Sequence, residues 1–238
     1  MKEILFLSVA CVILGTGTGA LLGIFFGLKS IGKTMAFTGG LMLGIVIFDL
    51  APEALSHGNL PVAAAGIFAG VFFVCLAAAF INKGEKSSSR PPLYNVGIIL
   101  MLAMALHNFP EGMAIGSSAI ADFKSGLVVA FIITLHDIPE GMAVAAPLTA
   151  GPGNKISVFI ATLISGLSTV AGALFGLWFG RMSTAGLAFC LAAAAGAMLY
   201  VVFGEMLPRA FAERKDKKIA LITIIGIIMS GILLKIIK

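Results

Sequence analysis

The sequence predicts an all-α polytopic membrane protein with eight transmembrane helices, on three observations. The 238 residues are 59% hydrophobic and only 11% charged, where a soluble domain is about 25% charged. The apolar residues fall into eight runs, each about the length a helix needs to cross the hydrocarbon of a bilayer. Short polar loops join these runs, and no stretch is left over for a soluble domain.

Span 1 is expected over 4–28. Its apolar stretch is too long for a signal peptide and has no clean small-residue cleavage site, so it reads as a retained span. Spans 2 and 3 follow at 34–55 and 60–81, with Asp49 and Glu53 near the end of span 2. The segment 82–92 (Asn-Lys-Gly-Glu-Lys-Ser-Ser-Ser-Arg-Pro-Pro) is the only linker-like stretch and would join two halves of a single domain, 1–238. Spans 4 and 5, at 93–119 and 125–148, carry the chain's chemistry. Spans 6, 7 and 8 are expected at 156–180, 184–207 and 219–237, with Glu205 in span 7 and Lys235 close enough to the end of span 8 to snorkel.

Loop charges set the orientation. Eleven of the sixteen Lys and Arg residues (Lys29, Lys33, Lys83, Lys86, Arg90, Lys155, Arg209, Arg214, Lys215, Lys217 and Lys218) follow odd-numbered spans. Lys2, Lys124, Arg181, Lys235 and Lys238 lie on the other side. The positive-inside bias puts 82–92 in the cytoplasm and both termini on the extracellular or periplasmic side of a cell membrane. This distribution also accounts for the net charge of +5 and argues against a nucleic-acid face. Cys11, Cys75 and Cys190 fall singly in separate runs, as packing residues do. Gly40/Gly44, Gly66/Gly70 and Gly172/Gly176/Gly180 have the spacing that lets helices approach closely. Packing within one bundle is preferred over a homodimer interface as their role.

Six carboxylates lie within or at the ends of the runs: Asp49, Glu53, Glu111, Asp137, Glu140 and Glu205. Each mid-membrane charge costs roughly 2.5–3.5 kcal/mol even on the lenient insertion scale. With no basic residue expected beside them, a cation the protein does not encode is the simplest partner. Span 4 reads His107-Asn108-Phe109-Pro110-Glu111-Gly112-Met113-Ala114, and span 5 repeats the pattern as His136-Asp137-Ile138-Pro139-Glu140-Gly141-Met142-Ala143. Residues four apart share a helix face, which stacks His107 over Glu111 and His136 over Glu140. One pocket would then hold these four. A second would hold Asn108, Glu111, Asp137 and Glu140, with the glutamates bridging. Imidazole with carboxylate suits Zn²⁺, Fe²⁺, Mn²⁺ or Co²⁺.

Pro110 and Pro139 are expected to kink spans 4 and 5 and to free carbonyls near Leu106 and Leu135. Asp49-Leu50-Ala51-Pro52-Glu53 and Glu205-Met206-Leu207-Pro208 repeat the pattern weakly at the outer and inner ends. Acid groups would thus mark entrance, midplane and exit in an inverted-repeat bundle built around spans 4 and 5. His57 and Asp122 read as solvated loop residues, and Met113 and Met142 as packing.

The doubled motif, HNFPEG at His107–Gly112 and HDIPEG at His136–Gly141, resembles that of the ZIP (Zrt-, Irt-like) family of divalent metal transporters. The resemblance implies a binuclear centre between spans 4 and 5, with His107, Asn108, Glu111, His136, Asp137 and Glu140 on ligand positions. It further implies transport toward the cytoplasm and a pseudo-two-fold relation between spans 1–3 and 6–8. The chain departs from the family pattern in three places. Thr169 stands where many relatives have a glutamate after Ser-Gly-Leu (here Ser165-Gly166-Leu167), and it cannot supply a bridging carboxylate to the second metal position. Asp49 stands where histidine is frequent, and 82–92 has no histidines.

The leading expectation is therefore a transporter, with divalent ions (zinc first, then iron, manganese, cobalt and cadmium) as cargo and no prosthetic group. The alternatives are an intramembrane metalloenzyme of the carboxylate-bridged diiron type and a cation channel. Neither HExxH nor GxSxG occurs, so an enzyme is not the expectation.

Overall fold

The computed structural model describes residues 2–26, 31–83, 92–121, 123–179, 184–213 and 217–237. Most of the linker 82–92, the charges Lys29, Lys86, Arg90, Asp122, Arg181, Arg214, Lys215 and Lys238, and Gly180 lie outside them. Eight helices long and apolar enough to cross a membrane occur among the described residues. Span 1 is Lys2–Phe26, span 2 Ile31–His57 and span 3 Leu60–Ile81. Spans 4 and 5 are Leu93–Gly116 and Gly126–Leu148, followed by span 6, Lys155–Trp178, span 7, Thr184–Ala212, and span 8, Lys217–Lys235. The expected runs coincide with these within a few residues, except that span 7 continues past Pro208.

That exception has a local cause. Proline clashes with the carbonyl four residues back and lacks an N–H. Just before Pro52 and Pro208 the helix widens into π turns, Val46–Leu50 and Val201–Met206. The N–H groups of Ala51 and Leu207 reach back five residues, to the carbonyls of Val46 and Val202. The wider turn accommodates the ring, so each helix continues. A third π turn, Val12–Gly17, interrupts span 1. Spans 4 and 5 run as unbroken α-helix through Pro110 and Pro139. The π turns lie in spans 1, 2 and 7.

Spans 4 and 5 pack on each other at the centre; span 6 lies against span 4, and span 1 against span 5. Span 2 packs on span 8, and span 3 on span 7. Exchanging span 1 with 6, 2 with 7, 3 with 8 and 4 with 5 maps the 4–5 contact onto itself and each of the others onto another. Glycine seams repeat the relation residue by residue. A Cβ at Gly19 would strike the Ile138 carbonyl, and one at Gly172 the Phe109 carbonyl. Gly141 and Gly112 lie in the same way against the carbonyls of Thr16 and Thr169. In the outer pairs Gly40 abuts Thr223 while Gly196 abuts Ile67, and Gly226 abuts Phe37 while Gly70 abuts Ala193. Removing the side chain lets whole backbones touch, which is how helices gain dispersion energy where lipid offers no hydrophobic drive. These seams join helices of one chain, the preferred reading of the glycine spacing.

The repeat is visible in the residues as well. Thr16-x-x-Gly19-Ala20-Leu21-x-Gly23 matches Thr169-x-x-Gly172-Ala173-Leu174-x-Gly176. Gly40-x-Met42-Leu43 leading to Asp49 and Pro52 matches Gly196-x-Met198-Leu199 leading to Glu205 and Pro208. The exterior carries large apolar side chains such as Phe6, Phe68, Phe72, Phe80 and Trp178, while His107, Asn108, Glu111, His136, Asp137 and Glu140 are all buried. Apolar outside and polar at the centre is the arrangement a bilayer rewards.

Candidate metal centre

Four side chains of the doubled motif meet between spans 4 and 5. His107 Nε2 lies 3.2 Å from Glu111 Oε1 on its own helix and 3.2 Å from Glu140 Oε1 across the interface. His136 Nδ1 lies 3.9 Å from the same Glu111 oxygen. The predicted i, i+4 stacking thus holds for His107 over Glu111, whereas His136 leans toward the other helix's glutamate. These atoms are close but poorly aligned: Nε2 and Nδ1 of His107 and both oxygens of Glu140 have no hydrogen-bond partner.

The rest of the motif shares that condition. Eleven buried side-chain nitrogen and oxygen atoms among the described residues lack a hydrogen bond. All but Asn95 Nδ2 belong to His107, Asn108, Glu111, His136, Asp137, Glu140 or Thr169. Buried polar groups normally find partners, and leaving one without costs about 1–3 kcal/mol. So dense a cluster of unsatisfied donors and acceptors suits a polar guest. Among the described residues no three His, Cys, Asp or Glu side chains already converge in a metal-ligand geometry; the candidate ligands lie against one another.

The predicted second pocket comes together only in part. Asp137 turns one oxygen to Thr16, whose Oγ1 donates at 3.3 Å from span 1. Asn108 and Thr169 stay without hydrogen bonds. Thr16 and Thr169 are partners in the repeat, yet only Thr16 is engaged. Thr16 was not expected from the sequence, because a lone threonine in an apolar run reads as packing. Its signal was the Thr-x-x-Gly-Ala-Leu-x-Gly repeat.

Two cavities flank the centre. One, of about 320 Å³, is lined by Asp49, Glu53, His57 and Ser118, with Glu111 and His136 at its floor. Asp49, Glu53 and His57 are half-buried at its rim, and they share one face of span 2 at four-residue spacing. His57 is the last residue of the helix rather than a free loop residue, and its Nδ1 lies 3.0 Å from the Glu53 carbonyl. On the opposite side His107 and Glu140 border a space of only about 10 Å³, closed by Met42, Met104, Met198 and Val201. That is roughly one water's worth of room. Among the described residues the centre therefore has more room toward the Asp49 end than toward the Met42, Met104 and Met198 side.

Glu205 lies on that narrower side. It is 4% exposed, on the same face of span 7 as Met198 and Val201. A helix extending to Glu213 brings Arg209 within one turn, and its Nη1 donates to Glu205 Oε2. The expectation that the acids lack a basic neighbour is corrected at this position: Arg209 belongs to span 7, not to the loop after it, because the π turn carries the helix through Pro208.

A sequence model described as the ZIP zinc transporter family matches residues 82–237. The zinc transporter ZupT of Lysinibacillus sphaericus (strain C3-41) is 35% identical, over 86% of this chain and 86% of its own length. That of Corynebacterium glutamicum is 32% identical over 85% and 87%. The Akkermansia muciniphila protein of the same name is 31% identical over 98% and 96%.

Proposed function

The chain belongs to the ZIP zinc transporter family, and from that premise we propose that it carries divalent transition-metal ions across a cell membrane into the cytoplasm. Zinc comes first, then iron, manganese, cobalt and cadmium. The observation that carries this reading is the cluster of buried, unsatisfied imidazole, carboxylate and amide atoms at the meeting of spans 4 and 5. Neutral imidazole with carboxylate is a donor set for zinc and its neighbours. The ion is cargo, and the whole chain acts as a single transporter domain with both termini on the outer face.

In this mechanism the ion enters from the Asp49 end, where Asp49 and Glu53 raise the local cation concentration. At the floor of the cavity it meets Glu111, which lies against both histidines. His107, Glu111, His136 and Glu140 form the principal berth as their mutual contacts are exchanged for the ion. Asn108 and Asp137 offer a second, weaker berth, since Thr16 engages Asp137 and Thr169 brings no charge. Advance requires the methionine-lined side to open while the acidic side closes. A site open to one end at a time saturates, as a carrier does.

The test is zinc uptake into proteoliposomes containing a trapped zinc-sensitive dye. Uptake by the wild type should saturate, and Glu111→Ala or Glu140→Ala should reduce it to the protein-free background. Unchanged uptake in both variants would sink the proposal. A diiron-type enzyme would bind metal without moving it, and a channel would give non-saturating current.

A further inference from the structure

The two ends of the pathway differ in the sign of one charge, which the repeat makes visible. Asp49 and Glu205 are equivalent in the repeat, each three residues before a proline and each in a π turn. The residue after Pro52 is Glu53, but the residue after Pro208 is Arg209. One end therefore has an acid one helical turn beyond an acid; the other has a base there. Arg209 Nη1 donates to Glu205 Oε2 and also to the Glu205 carbonyl oxygen at 3.2 Å. Glu205 is buried and Arg209 only partly so. The guanidinium thus reaches in from the span end to a carboxylate one turn beyond Met198 and Val201.

We propose that Arg209 is a built-in competitor for the transported ion: it occupies Glu205, so this buried acidic group beyond Met198 and Val201 does not retain the metal. The inference rests on the transport reading above. A buried carboxylate with no fixed counter-ion would attract a divalent cation strongly, and an ion that binds tightly at the exit leaves slowly. A guanidinium tethered one turn away is present at high effective concentration. It is also always charged and planar, matched to a carboxylate. As the metal arrives Arg209 is displaced; as it returns the metal is released. At the Asp49 end, where capture is needed, the equivalent position carries Glu53. Arg209 acts through Glu205, so it is a positioning residue for release.

Two measurements on the full chain test this. In proteoliposomes, Arg209→Gln should lower the zinc flux at saturation about tenfold, with the zinc concentration giving half-maximal flux no higher than in the wild type. Arg209→Lys should retain most of the flux, and Glu205→Gln combined with Arg209→Gln should recover it to within about twofold. In nanodiscs, equilibrium zinc titration should show one additional site in Arg209→Gln that is missing from the wild type and from the double variant. Because that site appears on top of the central one, the titration also reports that the variant is folded. Flux in Arg209→Gln equal to wild type overturns the inference, as does a double variant no faster than the single one. Should the wild type move no zinc, the transport reading falls, and the titration alone decides whether Arg209 shields Glu205.

Discussion

The two copies of the motif occupy matching backbone surroundings but differ in their side-chain surroundings. Gly112 lies on the Thr169 carbonyl and Gly141 on the Thr16 carbonyl, so spans 4 and 5 are held alike. Within that frame His107 touches both glutamates at 3.2 Å, whereas His136 approaches one at 3.9 Å. Asp137 accepts a hydrogen bond from Thr16, while its counterpart Asn108 has none. Symmetry in a membrane bundle is imposed by backbone seams, which tolerate no side chain. The chemistry within it is free to diverge, because each polar residue answers to its own neighbours. On the transport reading, the two halves of the centre should therefore hold an ion with unequal strength.

The comparison can be broken at its strongest point first. Glu111 contacts both histidines, so Glu111→Ala should remove the site and bring zinc uptake to background, a loss of at least about 100-fold. The histidines should then separate: half-maximal uptake should need about ten times more zinc in His107→Ala than in His136→Ala. Equal losses in dose–response curves would show that the centre is symmetric in use. The threonines give the smallest contrast. Thr16→Val removes the hydroxyl that donates to Asp137 and should shift zinc affinity severalfold in a titration of the purified protein, at the low end of what supporting residues contribute. Thr169→Val, which breaks no hydrogen bond, should leave it within about twofold. A larger shift in Thr169→Val would mean that this side of the centre is occupied.

The eight spans were legible because each is a long apolar run whose only demand on sequence is hydrophobicity. His107, Glu111, His136 and Glu140 were legible because charge in such a run is costly and the pattern occurs twice. The backbone irregularities were not. Pro110 and Pro139 sit within continuous helix, while π turns, which no residue pattern announces, precede Pro52 and Pro208. A proline states that a helix must adjust, not how, and neighbouring helices decide between the options. From the sequence Arg209 reads as a loop charge, because Pro208 reads as the helix end. Once the helix runs on, the i, i+4 rule joins Arg209 to Glu205 at once.

The π turn in span 7 also has a consequence in plain residue arithmetic. A π turn is an α-helix that has absorbed one extra residue. Deleting a single residue within Val201–Met206 would therefore restore the regular ladder and leave Pro208 and Arg209 near their present angle about the helix axis, with the room for the Pro208 ring lost. The same deletion in the regular stretch Thr184–Tyr200 would turn everything beyond it by about 100° and pull its seam with span 3 out of register. The extra residue makes room for the proline without changing the phase of the helix end, so a length change of one should be felt less inside the π turn than in the helix before it.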